Sequence, residues 1–318
     1  AGGACRAGNI YNLLQRVLYR MVEQGQLEYA QIPVISLNLM GEEKHTGFRI
    51  TPSLLSGGIA AGCYGDLIMC LYQQVKPYEQ NPGETDRIRS QVEKKLCESI
   101  RRHRNGRHTR EKNYRYACEV FSKVPVKPGK KKRVGITGEI YMKYSKLGND
   151  DIESFLLRQG MEPYSGGFVN YCLYLVDTER YKAEKYQHNP IMAKACAFVL
   201  HRLCEAQKHL LTVIGETDRF QTDLPFPELK EKVQGILAEG CNTGDGWLIA
   251  AEVIQYVEKG CGSVLILHPF GCLVSHVCER GILQRLHARF PDVSIQTIEY
   301  DYDQSKTLRE SRILLAIS

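Results

Sequence analysis

Twelve cysteines are spread through the 318 residues without a single C-x-x-C pair. This argues against zinc ribbons and ferredoxins, which draw close ligand pairs from one loop. A Walker lysine motif is missing, and no G-x-G-x-x-G follows a strand-like run, so a nucleotide site is unsupported. G-x-S-x-G is absent as well, and the nine histidines are scattered, with no helical pair of the kind a zinc hydrolase uses. No apolar run approaches the ~20 residues that cross a bilayer, and Ala1-Gly2-Gly3-Ala4 does not place a charged region ahead of an apolar one. The expectation is a cytoplasmic chain with no membrane partner. An initiator methionine is also lacking, and an opening on Cys5-Arg6 in a small-residue loop reads as the C-terminal part of a longer polypeptide.

What is present is ordinary for a globular protein, with 43% hydrophobic and 25% charged residues and a length that suggests about two domains. Without a secretion signal, the cysteines read as reduced thiols or metal ligands rather than a disulfide framework. The formal charge of +6 is too mild to imply nucleic acid. The basic residues crowd around Arg101-Arg102-His103-Arg104 and around Lys130-Lys131-Lys132-Arg133. The second run flanks Pro125 and Pro128 and reads as a linker, and a solvated basic face is the simpler account of both.

Apolar spacing predicts a helix from Asn9, a strand over Gln31 to Leu39, one long or broken helix from Leu54 to Val75 that is too polar to span a membrane, and exposed helix from Glu84 to Phe121 that continues or breaks near Asn105-Gly106. Arg133 to Gly138 reads as a buried strand, with a helix from Asp150 to Gln159. Strands over Val264 to Leu267 and Val293 to Ile298 bracket a helix from His276 to Arg289 at crossover spacing. Helices over Gly246 to Glu258 and Ser305 to Ile317 complete an α/β C-terminal half. The division expected is a mostly helical 1–130, completing a lobe whose start is missing, and an α/β domain over 131–318.

In an open parallel sheet, ligands bind beyond the carboxyl ends of the strands. Three segments there are unusual: Gly138 to Tyr141, Cys241 to Trp247, and Pro269 to His276. Cys272, between a strand and a helix, sits where backbone amides favour a thiolate, and it reads either as a metal ligand or as a buried turn cysteine. Cys5, before a helix and beside Arg6, is open to the same two readings. Cys241 is the weakest of the three, since the glycines around it serve a turn equally well. The other nine cysteines, Cys278 among them, read as core. Glu139 is a candidate catalytic base or a helix cap, and His276 is a helix-start or supporting residue.

In order along the chain, Gly3-Ala4-Cys5-Arg6-Ala7-Gly8-Asn9, Pro33 to Asn38, Tyr64-Gly65-Asp66-Leu67, Lys76-Pro77-Tyr78-Glu79, Val134 to Tyr141, Asn242 to Trp247, Pro269-Phe270-Gly271-Cys272 and Tyr300-Asp301 resemble the activase-associated, DUF2229-type branch of the 2-hydroxyacyl-CoA dehydratase and benzoyl-CoA reductase group. The resemblance implies flavodoxin-like (Rossmann-like) three-layer α/β lobes holding an iron-sulfur cluster, a four-iron cubane or a double cubane, on widely separated cysteines. Cys5 and Cys272 match its ligand positions, with a further cysteine expected upstream. Gly138, Gly244 and Trp247 would line the cleft. The implied partners are an ATP-hydrolysing activator, often fused upstream, and an acyl-CoA substrate, in a homo- or hetero-oligomer. The implied role is acceptance of a low-potential electron for radical dehydration or reduction. A docking or regulatory domain for the activator, without a complete cluster, is the alternative. The sequence departs from the pattern at His268, where glutamine is usual, and at Tyr302, where proline is usual.

Overall fold

The computed structural model describes residues 7–26 and 51–318. The chain divides into two compact units, 1–51 and 52–318. In the first, α1 (Ala7–Glu23) ends at Gly25, whose φ of 66° lets the Gln26 N–H return to the Met21 carbonyl at 2.9 Å. The Gln31 to Leu39 strand and Cys5 lie outside the described residues.

The second unit is built on a parallel sheet of β1 (Arg133–Gly138), β2 (Glu162–Tyr164), β3 (Ser263–Pro269) and β4 (Ser294–Tyr300), in the order β2-β1-β3-β4. The middle strands are buried on both faces, which is why they read as unbroken apolar runs rather than as alternation. Val134, Ile136, Leu265, Leu267 and Ile298 face one apolar cluster, shared with α5 (Ile140–Tyr144), α6 (Ile152–Arg158) and α12 (Lys306–Ile317). On the opposite face, Val264, Ile266 and Ile295 join the larger cluster, built from α2 (Pro52–Val75), α3 (Glu84–Arg101), α4 (Arg107–Ser122), α7 (Phe168–Lys185), α8 (Pro190–Gly215), α9 (Phe226–Glu231) and α10 (Gly246–Glu258). The sequence boundary at 130/131 falls inside this unit. The fold class is mixed α/β with a four-stranded parallel sheet.

Several conspicuous segments turn out to hold this scaffold together. The half-buried Asp66 carboxylate accepts from the Phe168 and Val169 amides (2.7 and 2.9 Å) and so caps the N-terminus of α7. Glu79 accepts from the Gly83 and Thr85 amides at the start of α3, while the Tyr78 hydroxyl donates to Glu162 at 2.7 Å. In the basic linker, Lys132 Nζ donates to the Ile317 and Ser318 carbonyls, both at 2.6 Å, at the C-terminus of α12.

One expectation is corrected. The stretch Ser53–Tyr78, which overlaps α2, is long and apolar enough to cross a membrane by length and composition, with a mean hydropathy of 1.5 over an 18-residue window. Its Ala and Cys residues raise the mean without forming an obvious apolar run. From Cys63 onward it puts Cys63, Tyr64, Leu67, Leu71 and Val75 into the larger core.

Candidate functional site

Connections leave β1 toward β2 and leave β3 toward β4, in opposite lateral directions, so the carboxyl ends of β1 and β3 form the sheet's switch point. Backbone strain and close approach shape this edge. Gly138, at φ 130°, lies so close to β3 that a Cβ there would stand 2.0 Å from the Leu267 carbonyl oxygen. The chain then turns, and the Glu139 amide donates to that same carbonyl at 2.8 Å. Glu139 is the cap that the sequence left open as an alternative: Oε2 accepts from the Tyr141 and Met142 amides at 3.0 and 3.1 Å, starting α5.

Opposite stands the loop before α10. Gly246 has φ 32°, and a Cβ there would meet the Cys241 carbonyl oxygen at 2.2 Å and the Tyr174 hydroxyl at 2.4 Å. The Trp247 amide donates to that Cys241 carbonyl at 2.9 Å. The Trp247 ring is buried edge-on to Tyr174, in the aromatic core. Gly244 lies against Val274 of the loop after β3. Asp245 is buried and accepts from the Ile140 amide. Burial first, and then the neighbouring charges of Glu139 and Glu279, push its carboxyl well above the usual range.

The segment after β3 brings in sulfur. Cys272 is half-buried; its Sγ accepts from the Ser275 hydroxyl at 3.1 Å, and its carbonyl accepts from the His276 amide at 3.1 Å. A π-helical turn, Ser275–Glu279, carries Cys278 and Glu279 inward. Cys278 is close enough to both Cys241 and Cys272 to feel their charges; burial, with those charges adding, pushes its thiol up to about 11. Two sequence candidates, Cys241 and Cys272, thus lie within electrostatic range of a third thiol, Cys278, that had read as core. All eleven cysteines among the described residues are free. Exposed Phe270, Leu273 and Val277 give this edge an apolar rim.

Glu279 was missed. It is fully buried, and neither carboxylate oxygen has a hydrogen-bond partner among the described residues. The neighbouring Ser275 hydroxyl donates to Cys272 Sγ at 3.1 Å, and its nearness to Glu279 tempers the rise of that carboxyl. Burial, reinforced by the Glu139 charge, raises the Glu279 carboxyl to about 8, so it is a neutral acid at pH 7. Behind it, Lys143 Nζ and Glu252 form a buried pair at 2.7 Å, and the Thr137 hydroxyl donates to Glu252 at 2.5 Å. A cavity of about 240 Å³ opens near the ends of β1 and β2, lined by Tyr72, Arg89, Lys143, Lys146, Asn149 and Ser165 among others.

Beside the thiols, His268 and Glu299 are the next-to-last residues of β3 and β4. The two are register partners, on the sheet face of Val264, Ile266 and Ile295. His276 Nε2 lies 3.4 Å from Glu299 Oε2, and the His268 and His276 rings meet edge to face at 5.3 Å. Burial holds His268 below the usual imidazole range, in its neutral form. The polar residues that immediately follow both predicted strands were the available signal for this pair, but only the register joins them.

No family model matches the chain, and neither a curated protein nor a solved structure does.

Proposed function

We propose that this chain is the iron-sulfur component of an ATP-dependent acyl-CoA dehydratase- or reductase-type system, accepting a low-potential electron from an ATP-hydrolysing activator. The observation that carries the reading is the proximity of Cys241, in the loop before α10, to Cys272 and Cys278, both in the segment after β3, at the carboxyl edge of a parallel sheet. The strand order β2-β1-β3-β4 suits a flavodoxin-like sheet, whose switch point falls between β1 and β3.

The donor set fits a cluster. Three thiols with no other covalent partner supply sulfur, Cys5 would join them on sequence grounds, and the Ser275 hydroxyl donates to Cys272 Sγ as hydrogen bonds to cluster sulfurs do. A bound cluster would supply one-electron chemistry. The chain's own contribution is two buried carboxyls beside the sulfur ligands, Glu279 and Asp245, whose affinity for protons burial raises, which lessens the negative charge that opposes electron arrival. The rim of Phe270, Leu273 and Val277 suits the approach of a partner protein, and the cavity bearing Arg89 and Lys146 suits an anionic acyl-CoA. Free thiols throughout the described chain accord with a reducing, cytoplasmic setting.

The test is iron and acid-labile sulfide content, with the visible spectrum, of the chain reconstituted without oxygen, alongside Cys272→Ser, Cys278→Ser and Cys241→Ser. The proposal expects a coloured chain with stoichiometric iron and sulfide, and loss of at least half the iron in Cys272→Ser. A wild-type chain that stays colourless favours the docking-domain alternative.

A further inference from the structure

We infer that His268, His276 and Glu299 form a second, independent site for one divalent first-row transition ion of the zinc or iron(II) class. The three come from adjacent parts of the fold that nothing in the thiol chemistry requires to converge. His268 and Glu299 are lateral partners across the parallel β3/β4 ladder at its carboxyl end. His276 reaches them from the π-helical turn that follows. Their donor atoms all lie within 4.8 Å of one another.

Three features show that the site is arranged for a cation. First, His268 is completely buried, and neither ring nitrogen has a hydrogen-bond partner among the described residues. A buried polar group left that way is costly unless something accepts its lone pair. Second, His276 is held in the ligating tautomer. Its Nδ1 lies 2.8 Å from the Cys272 carbonyl oxygen, and because a carbonyl only accepts, Nδ1 carries the proton and Nε2 presents its lone pair toward Glu299. Third, His276 Nε2 and His268 Nδ1 stand 3.4 and 3.9 Å from Glu299 Oε2, close to the roughly 3.3 Å between ligands on a tetrahedral zinc with bonds near 2.05 Å.

The donor set fixes the metal class. Two imidazoles and one carboxylate disfavour magnesium and calcium, which take oxygen, and the absence of sulfur among the three disfavours copper(I). Arg280 Nη2 lies 3.1 Å from Glu299 Oε2, so it orients the carboxylate and competes for the same oxygen. Three protein ligands leave at least one position for water, and His276 is partly exposed, which gives that position a route to solvent.

The assay is titration of the full, cluster-free chain with cobalt(II), and then zinc(II) displacement, without oxygen. The expected result is one cobalt per chain, bound at micromolar Kd or tighter, with d–d bands and no sulfur-to-cobalt charge-transfer band. Glu299→Gln and His276→Gln should each weaken binding at least tenfold while keeping the wild-type circular dichroism, and Cys272→Ser should leave it unchanged. Absence of binding, or charge-transfer bands that vanish in Cys272→Ser and survive in Glu299→Gln, would overturn the inference. A chain that takes up no iron-sulfur cluster but binds cobalt through His276 and Glu299 separates failure of the cluster proposal from failure of this one.

Discussion

Replacing Glu279 by glutamine keeps the side chain's shape and removes its proton equilibrium from the buried edge. The wild-type carboxyl moves from an ordinary value of 4.5 to about 8 on folding, because its burial, with the Glu139 charge adding, outweighs the neighbouring Ser275 hydroxyl and Arg280 charge. Below pH 4.5 the group is protonated in both the folded and the unfolded chain, and its stabilising share is fully present. Between 4.5 and about 8, the unfolded chain releases the proton while the folded chain keeps it, so stability falls as pH rises, and above that window the loss is complete. Each pH unit inside the window removes up to ~1.4 kcal/mol, for a ceiling of roughly 5 kcal/mol. Structural relaxation lowers that, and a drop of about 3 to 5 kcal/mol is expected. Glu279→Gln removes this slope, and it also relieves Asp245, whose carboxyl is raised partly by the Glu279 charge. Urea denaturation followed by circular dichroism at pH 5, 6, 7 and 8.5 measures it. The two proteins should agree within about 1 kcal/mol at pH 5, with the variant more stable by about 3 kcal/mol or more at pH 8.5. Parallel pH profiles, or a variant less stable at every pH, would refute the reasoning.

Three further outcomes follow from the same edge and its supports. Gly138→Ala puts a Cβ against the Leu267 carbonyl at a φ of 130° and should cost about 3 kcal/mol or more, read as a lowered denaturation midpoint or as insolubility. Lys143→Met strands the buried Glu252 and should cost roughly 3 to 5 kcal/mol, while Lys143→Met with Glu252→Gln, which keeps a partner for the Thr137 hydroxyl, should recover most of it. An unchanged single variant would place that pair outside the stability of the core. Asn189→Ala removes the side-chain oxygen that accepts from the Met192 amide at 3.1 Å, and should cost about 1 kcal/mol by the same denaturation assay.

The parts of the fold legible in the sequence were those where a local pattern decides. The apolar run of β1, the interruption at Asn105-Gly106 between α3 and α4, the span of α10, and the final helix with Ser305 as its cap all fall where the residues place them. Residues 160–240 were not read as elements. There, β2 is three residues long and contains Pro163, and α7 buries Asn170, Asp177 and Thr178 among its apolar positions, which blurs a helical apolar stripe. Within the site, the three loops were legible because they follow strands or precede a helix. The partners were not: Cys278 reads as a helix-face cysteine until the π-helical turn brings it near Cys241 and Cys272, and the His268–Glu299 pairing exists only in the ladder register. Glu279 could not be told from a surface glutamate, because its burial depends on α10 packing against the π-helical turn.

The most direct measurement on the proposed function is a reductive titration of the reconstituted chain with a low-potential reductant, followed by electron paramagnetic resonance. The account predicts uptake of one electron per cluster and a half-integer-spin signal that is lost in Cys272→Ser. Stoichiometric iron and sulfide with no electron uptake, or a signal of full intensity in that variant, would contradict it.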